Sequence, residues 1–436
     1  MLPNRDSALQ TSAIRKMTTV SETITKKPLA QRLNHLSAQS VWTEFTPLAN
    51  QYSAINLGQG FPDFPADKFI IDAASNAVLN HLNQYTRSMG HVRLVNALAA
   101  HFSDQFGRHI DPLKEVVVLM GATEALYATI QAIVNPGDEV ILIEPFYDSY
   151  PVDIVLAGGT PKYVPLRYEG GENSSDFTLN FQELEAAITS KTKAIMINTP
   201  QNIPGKVYSR QELEKIAEIV KRHDLLLISD EVYEPMVYDQ STHVKPASLP
   251  DMFERTITIG SAGKSFSVTG WKTGWVIAPP HLSEAIWIVH QNVAFTANTP
   301  SQEAIAVGFE RIKKEDPDYF KNLSKDFQKK RDLLCDRLRS AGLNPIVPQG
   351  SYFVLADISR VDEKHYFDEK SGVARDYQFA RWLVKEIGVA AIPPSAFYSR
   401  DNAHLVENFV RFCFCKKEET IRSAGERLQK LKEYLK

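Results

Sequence analysis

A lysine in a glycine-rich turn after a predicted buried strand is the residue of this chain best suited to covalent chemistry. The run TITI (256–259) leads into GSAGKS (260–265), and GWKTGW (270–275) follows. A lysine in such a turn is ordinarily a solvated surface charge. Here the preceding strand and the small neighbours favour an amine held out of water, where its pKa falls and it becomes a nucleophile. Three kinds of active site therefore compete for Lys264.

The first alternative is the phosphate-binding loop of a nucleotide hydrolase. GKS (263–265) is typical of the end of such a loop, and LLLISDE (225–231) resembles the strand that holds magnesium. Thr258, however, stands where the first glycine of the loop belongs. The acidic strand also precedes the lysine, which reverses the usual order. This alternative is disfavoured.

The second alternative is the serine site of penicillin-binding enzymes. SAGK (261–264) matches its nucleophile motif, and KTG (272–274) matches its third element. Those elements lie on distant parts of a fold, whereas here only seven residues separate Lys264 from Lys272 and no Ser-Asp-Asn lies between them. Matches this short arise by chance.

The third alternative is a pyridoxal phosphate enzyme, in which a lysine bonds to the cofactor aldehyde. The pyridine nitrogen needs a buried carboxylate, and Asp230 ends a run that is apolar except for Ser229. Tyr233 and Asn202 would donate to the ring oxygen, although read alone Asp230 is a cap and Asn202 a turn residue. Tyr147, after another apolar run, would stack on the ring or belong to the core, and the sequence leaves these two interpretations equal.

A seat for the phosphate is predicted at the start of a helix. The run VVVLM (116–120) leads to GATE (121–124), which opens an apolar-periodic helix through residue 134. Free backbone amides at a helix start bind anions. Lys272 and the Ser261 hydroxyl would add a charge and a hydrogen bond to that seat.

These motifs form an ordered set that resembles the class I aminotransferases of fold type I. Within that class the chain most resembles the kynurenine and glutamine transaminases, also known as cysteine-S-conjugate beta-lyases, and among them the fungal-type kynurenine aminotransferases. The matching stretches span roughly residues 40–415: INLGQGFPDFP from 55, NQYTRSMG from 83, GATEAL from 121, EPFYDSY from 144, NTPQNIPGKV from 198, ISDEVYE from 228, GSAGKSFSVTGWKTGW from 260 and NFVRF from 408.

The resemblance implies a role for each matching residue. Lys264 is the Schiff-base lysine and proton carrier, and pyridoxal 5'-phosphate is the cofactor. The other implied cofactor contacts are Asp230, Asn202 and Tyr233 on the pyridine ring, Tyr147 stacked on it, Ala122, Thr123, Ser261 and Lys272 on the phosphate, and Tyr85 reaching the phosphate from the other subunit of a homodimer. The implied substrate contacts are Arg411 on the alpha-carboxylate, with Asn202, Gly60 and Trp42 lining the pocket. Arg411 also lies in an alternating apolar run from Phe409 to Cys415, where a charge calls for a partner.

Three departures from the family pattern bear on geometry and specificity. Ile203 intervenes before Pro204 where the family reads Asn-Pro, so the turn around Asn202 is expected to be built differently. Lys272 replaces an arginine found in many relatives, which keeps the charge and loses the bidentate fork. Phe295-Thr296 stands at an aromatic-histidine pair of some relatives, so the preferred substrate side chain is expected to differ.

The order of elements predicts a fold of the α/β class. Apolar runs near residues 115, 140, 193, 225, 256 and 274 alternate with helical patterns, two of which start with caps at Ser209 and Asn180. This alternation predicts a mostly parallel central sheet sandwiched by helices, with the ligand at the carboxyl ends of the strands. From about residue 311, long charged helices and strands around 352 and 410 predict a smaller α/β domain. The predicted division is a tail at 1–27, an arm at 28–60, a large cofactor-binding domain at 61–310 and a small domain at 311–436.

Composition narrows the class of protein and its location. The net charge of -3 offers no basic field for nucleic acid, and no apolar stretch is long enough to cross a membrane. Three cysteines indicate a reducing compartment, and the histidines show no metal-site spacing, so no metal is predicted. We expect a cytoplasmic protein. The basic tail favours mitochondria as a second destination, although Asp6 and Glu22 weaken that hypothesis and Met17 offers an internal start.

The expected activity is transamination, with an amino acid and a 2-oxo acid as the small-molecule partners. The resemblance implies L-kynurenine and 2-oxoglutarate as substrates, giving glutamate and kynurenic acid. Transamination of glutamine or aromatic amino acids, or beta-elimination of cysteine S-conjugates, remains open because it uses the same residues. A non-catalytic protein on the same fold is a remote alternative, which the intact Lys264, Asp230 and Arg411 disfavour.

Overall fold

The computed structural model describes residues 30–34 and 36–436, so the tail predicted at 1–27 lies outside the described residues. The chain from Gln39 to Lys436 forms one compact unit. The described residues before it include a 3-10 turn at Gln31–Leu33. The domain boundaries predicted at residues 60 and 310 stay predictions.

The compact unit contains two sheets and a two-stranded ladder surrounded by helices. Its strands are β1 (Ile55–Asn56), β2 (Val116–Leu119), β3 (Glu139–Glu144), β4 (Thr160–Tyr168), β5 (Phe177–Leu179), β6 (Thr192–Asn198), β7 (Leu226–Asp230), β8 (Thr256–Ser261), β9 (Gly274–Ile277), β10 (Asn344–Ile346), β11 (Phe353–Asp357), β12 (Val389–Ala390) and β13 (Phe409–Cys413). Its α-helices are α1 (Val41–Gln51), α2 (Lys68–Leu79), α3 (Val92–Phe106), α4 (Gly121–Ile133), α5 (Ser149–Leu156), α6 (Phe181–Ala186), α7 (Arg210–Arg222), α8 (Ala262–Ser265), α9 (Pro280–Val293), α10 (Thr299–Lys314), α11 (Tyr319–Ser340), α12 (Arg375–Trp382) and α13 (Glu418–Leu428).

The eight-stranded sheet has the order β2-β9-β8-β7-β6-β3-β4-β5. β8, β7, β6, β3 and β4 run parallel to one another. β9 runs antiparallel to both of its neighbours, so β2 points the same way as β8. The carboxyl ends of six strands therefore meet at one edge, as the alternation of apolar runs and helices predicted.

Helices cover both faces of this sheet because alternate strand residues point to opposite sides. Val116 and Val118 belong to an apolar cluster with α3 and α10, whereas Val117 and Leu119 belong to one with α4 and α9. These strand residues are completely buried. A strand apolar on both faces is what a sheet sandwiched by helices requires, and the predicted fold class is confirmed.

The smaller sheet has the order β10-β11-β13 and is antiparallel throughout. The predicted strand ending at Cys415 stops at Cys413. The β1 strand pairs in parallel with β12, which ties the segment before Gly60 to the carboxyl-terminal part of the chain. Among the described residues, no helix is long and apolar enough to span a membrane.

Candidate active site

A cavity of about 200 Å³ opens at the carboxyl edge of the eight-stranded sheet. Nine of the predicted site residues line it: Ala122, Thr123, Tyr147, Asn202, Asp230, Tyr233, Ser261, Lys264 and Lys272. They come from the ends of β2, β3, β6, β7 and β8 and from the start of β9. The parallel sheet thus brings together residues that lie up to 150 positions apart in the sequence.

Lys264 lies in α8, the single helical turn that follows β8. Gly263 lets the chain fold back here, because a Cβ at that position would lie 3.1 Å from the Cα of Thr269. The Lys264 Nζ donates a hydrogen bond to the hydroxyl of Tyr352, 2.9 Å away. Burial lowers the pKa of Lys264, as expected for an amine that must act as a nucleophile and base.

Asp230 ends β7 and is almost completely buried. The Tyr150 hydroxyl donates to its Oδ2 at 2.5 Å, and the Val232 N–H donates to its Oδ1 at 3.2 Å. Burial raises the pKa of Asp230 to about 6, while these two hydrogen bonds oppose the rise. At neutral pH the carboxylate is therefore ionised, and it forms no ion pair with any described residue. A cationic ligand atom would relieve this buried charge.

The predicted phosphate seat forms where α4 begins. Lys272 Nζ donates to Thr123 Oγ1 at 3.1 Å, which places the ammonium beside the first turn of the helix. Gly274 allows close packing, because a Cβ there would lie 2.6 Å from the backbone N of Ala122. Ser261 is the cross-strand partner of Gly274. An ammonium, two hydroxyls and the free amides of a helix start therefore surround one point.

The loop after β6 places Asn202 between the cavity and Arg411. Its backbone N–H donates to Asn198 Oδ1 at 2.6 Å, and its Oδ1 accepts from Arg411 Nη1 at 2.7 Å. The cis bond in this loop joins Thr199 to Pro200.

Two tyrosines complete the wall of the cavity. Tyr233 is buried, and burial raises the pKa of its phenol, so it stays a hydrogen-bond donor at neutral pH. Tyr147 is half-buried and lines the cavity while also packing on the core. Its ring therefore faces ligand space, as the stacking interpretation requires.

Arg411 is a fully buried cation at the centre of β13. Its Nη2 donates to the carbonyl of Gly58 at 3.0 Å, and its Nε lacks a partner among the described residues. The guanidinium carbon lies 4.0 Å from the Phe353 ring centroid, 5.0 Å from that of Phe397 and 5.4 Å from that of Trp42. Burial lowers the pKa of Arg411 to about 10. An incoming carboxylate would neutralise this charge.

Gly60 and Trp42 lie beside Arg411 rather than in the lining of the 200 Å³ cavity. A Cβ at Gly60 would lie 2.6 Å from the Phe353 ring and 2.9 Å from the Tyr352 ring, so only glycine fits there without a shift. The Trp42 Nε1 donates to Asp148 Oδ2 at 2.8 Å, which fixes its ring. Both residues therefore shape the approach to Arg411.

The structure does not bring Tyr85 into the cavity of its own chain. Its side chain is 81% exposed and packs edge-to-face on Phe295, with ring centroids 5.1 Å apart. Its predicted contact with the phosphate of another subunit stays a prediction.

Among the side chains that contact site residues, Tyr150, Asp148 and Tyr352 were absent from the sequence prediction. Tyr150 and Asp148 lie in the EPFYDSY stretch that supplied Tyr147, and a buried phenol on the helical turn after Tyr147 was the available signal. Tyr352 directly precedes β11, and its sequence context gave no sign that it reaches Lys264 from a distance of 88 positions.

Behind Asp230 lies a buried charge cluster of Glu231, Glu234, His243 and Lys245. The carboxylates of Glu231 and Glu234 and the imidazole of His243 lie close enough together to hold a metal ion. The Lys245 Nζ, however, pairs with Glu231 Oε2 at 3.0 Å and also with Glu234. The ammonium therefore already pairs with both carboxylates.

The cavity fits pyridoxal 5'-phosphate group by group. The buried amine of Lys264 suits the aldehyde, and the unpaired carboxylate of Asp230 suits the protonated pyridine nitrogen. The helix start with Lys272 suits the phosphate. Beyond the cofactor, Arg411 suits the carboxylate of an amino acid.

Comparison with known proteins agrees with this chemistry. The family model for aminotransferase class I and II matches residues 52–428. The chain is 47% identical to a kynurenine–oxoglutarate transaminase of Dictyostelium discoideum, over 94% of this chain and 98% of that protein. It is 48% identical to kynurenine–oxoglutarate transaminase 3 of Homo sapiens, over 91% of this chain and 89% of that protein. The solved structure of Bna3p from Saccharomyces cerevisiae is 34% identical, covers 94% of this chain and 100% of that one, and superposes with a TM-score of 0.90. The chain therefore belongs to the class I and II aminotransferases, which use pyridoxal 5'-phosphate as their cofactor.

Proposed function

We propose that the protein transfers the amino group of L-kynurenine to 2-oxoglutarate. The products are glutamate and an oxo acid that cyclises to kynurenic acid. The observation that carries the proposal is Arg411, a buried cation that lacks an anion among the described residues and is surrounded by aromatic rings. This setting suits an amino acid with an aromatic side chain, and the relatives described above bear the name of this reaction.

The residues of the site divide the work of the reaction. Bound pyridoxal phosphate supplies an electron sink for the alpha carbon. Asp230 keeps a proton on the pyridine nitrogen by its negative charge, and Arg411 grips the substrate carboxylate with its planar fork. The uncharged amine of Lys264 would take the proton from the alpha carbon of the substrate and deliver it to the aldehyde carbon of the cofactor. The 2-oxo acid then binds Arg411 in its turn, so the kinetics should be ping-pong.

A direct comparison of substrates tests the proposal against its alternatives. Beta-elimination of a cysteine S-conjugate needs a leaving group on the beta carbon, and it uses the same proton transfer at Lys264. Kynurenic acid formed from kynurenine and 2-oxoglutarate should be measured beside transamination of glutamine and phenylalanine and beside pyruvate released from an S-conjugate. We expect kynurenine to give the highest kcat/KM of the four. A cofactor-loaded protein that leaves kynurenine untouched would overturn the assignment, and a protein that takes up no cofactor would favour the non-catalytic alternative.

We propose further that the protein is a homodimer in which Tyr85 of each chain reaches the phosphate seat of the other. The exposed pair of Tyr85 and Phe295 supports this, because large exposed apolar groups mark interfaces. Tyr85→Ala should weaken cofactor affinity about tenfold, the loss of one hydrogen bond to a charged group. Tyr52→Ala, which removes another exposed tyrosine at the end of α1, is the matched control. A monomer in light scattering that binds cofactor with full affinity would contradict the proposal.

Cofactor binding should depend on pH through Asp230. Because burial holds its pKa at about 6 in the cofactor-free protein, the carboxylate is ionised at pH 7.5 and largely protonated at pH 5. Affinity for pyridoxal phosphate should thus fall about tenfold per pH unit below 6, in proportion to the ionised fraction. Since the phosphate also titrates near this pH, Asp230→Asn is the control: it should bind more weakly at pH 7.5 and lose less affinity on acidification. Equal pH profiles of the two proteins in an absorbance titration would refute the role of Asp230.

For localisation we propose residence in the cytosol with a second population in mitochondria. The support is the basic character of the first residues, including Arg5, Arg15 and Lys16, which lie outside the described residues. Fluorescent fusions that start at Met1 or at Met17 test it, since only the longer one should enter mitochondria. Identical cytosolic patterns would rule out the mitochondrial population.

A further inference from the structure

The hydroxyl of Tyr352 joins two parts of the site that the mechanism uses separately. It accepts a hydrogen bond from Lys264 Nζ at 2.9 Å and donates one to the carbonyl of Gly60 at 2.7 Å. The side chain is 1% exposed, so water does not replace either bond. One phenol thereby connects the reactive amine to the segment that lies beside Arg411.

The direction of these bonds follows from the number of protons available. A tyrosine hydroxyl has one proton and two lone pairs, and a carbonyl oxygen can only accept. The proton of Tyr352 is therefore committed to Gly60, and a lone pair faces Lys264. Since an acceptor binds an ammonium more strongly than an amine, this contact opposes the effect of burial on the protonation of Lys264.

The surrounding structure fixes the phenol in this place. The carbonyl of Tyr352 accepts from Phe414 N–H at 3.0 Å, and the preceding Ser351 N–H donates to the carbonyl of Met236 at 3.0 Å. The Tyr352 ring packs edge-to-face on Tyr233, with centroids 5.0 Å apart. On its other side Gly60 leaves just enough room, because a Cβ there would lie 2.9 Å from the ring. The backbone hydrogen bonds of Ser351 and Tyr352, together with the contacts of the ring, thus fix the position of the hydroxyl.

We propose that Tyr352 is a positioning residue for Lys264, which docks the free amine on its hydroxyl while that amine carries the alpha proton. The proposal rests on the role of Lys264 in the proposed function. Without this acceptor the Lys264 amine could still reach the substrate, but it would sample many orientations, since a lysine side chain has four rotatable bonds. Tyr352 itself contributes no proton, because its own proton stays on the Gly60 carbonyl.

The Tyr352→Phe variant separates this role from a purely structural one. In the cofactor-free protein, the pH dependence of Lys264 acetylation by acetic anhydride, read by mass spectrometry, reports the pKa of the amine, and this pKa should fall. In the loaded protein, single-turnover rates with the alpha-deuterated amino acid should drop about tenfold, for one hydrogen bond to a charged group. The deuterium isotope effect should increase, because proton transfer becomes more strongly rate-limiting.

Tyr238→Phe is the matched control for loss of a buried phenol. The Tyr238 hydroxyl bonds to the carbonyl of Ser351, in the same loop, without touching Lys264. An unchanged acetylation profile and isotope effect in Tyr352→Phe would overturn the proposal. So would equal changes in Tyr238→Phe, which would show that loosening of the loop is the cause. If Tyr352→Phe fails to fold, Gly60→Ala, which pushes on the ring, should lower the pKa of Lys264 instead, and no shift there would refute the proposal.

Failure of the underlying function gives a different result from failure of this inference. If Lys264 is not the reactive lysine, Lys264→Ala will keep its turnover whatever Tyr352→Phe does. If kynurenine is not the substrate, the acetylation profile still reports on the contact between Lys264 and Tyr352, since that measurement uses no substrate.

Discussion

Replacing Lys264 with alanine is expected to lower transamination by at least about 10⁴-fold, since it removes both the group that bonds to the cofactor and the base that carries the alpha proton. Among the described residues the side chain, which lies in a cavity, donates only to Tyr352, so its loss leaves a small space and no unpaired carboxylate within hydrogen-bonding distance there. The variant should therefore fold. The visible spectrum of the protein before and after borohydride, with mass spectrometry of the labelled peptide, measures the covalent link.

Lys330→Met provides the control for this experiment. Lys330 is also largely buried, but its Nζ pairs with Asp326 at 2.7 Å on α11, away from the cavity lining. This variant should keep borohydride trapping and turnover. Substantial transaminase activity in Lys264→Ala, or trapping of cofactor on another lysine at the same rate, would refute the assignment of Lys264.

Arg411→Lys is the change with the second largest expected effect. A lysine keeps the positive charge but loses the fork that can hold two carboxylate oxygens, and it leaves the Asn202 Oδ1 and the Gly58 carbonyl without their donor. A buried pair broken in this way costs about 3 kcal/mol, which corresponds to about 100-fold in kcat/KM. The loss should be common to every amino acid and 2-oxo acid, because all of them present the same carboxylate.

Arg331→Lys separates substrate binding from stability. Arg331 is another buried arginine, with Nη1 2.6 Å from Asp239 Oδ2 and 3.1 Å from the Pro348 carbonyl, and it does not line the cavity. Its replacement should lower the melting temperature while the KM for kynurenine stays the same. If Arg411→Lys shows this same pattern, with unchanged KM, the carboxylate lies elsewhere.

The large sheet was predictable from the sequence because most of its central strands are apolar on both faces. The runs near residues 115, 140, 193, 225, 256 and 274 all became strands, and the caps at Ser209 and Asn180 start α7 and α6. Strands β4 and β5, at one end of the sheet, were missed. Their residues 160–168 and 177–179 are only partly buried, and β4 contains two prolines, which weaken the pattern of a strand.

The cavity was predictable to the extent that its residues follow parallel strands, since the ends of such strands meet whatever the connections between them. Contacts from the other parts of the chain were harder to predict. Tyr352 precedes β11 of the smaller sheet and Asp148 precedes α5, and no periodic pattern in the sequence indicates that these side chains contact the site. The resemblance to a family supplied Arg411 and Trp42, which lie far apart in the sequence and meet only in the folded chain.

The segment between β8 and β9 fixes the spacing of two lysine side chains in the site. Lys264 and Lys272 belong to one short excursion that leaves the sheet at Ser261 and re-enters at its cross-strand partner Gly274. The distance between Lys264, which suits the aldehyde, and Lys272, which suits the phosphate, is therefore set by this one short segment. Arg411 belongs to the other sheet, and it meets the cavity through its hydrogen bond to Asn202 in the loop after β6. A substitution around β13 can therefore alter the substrate contact without changing the spacing of Lys264 and Lys272.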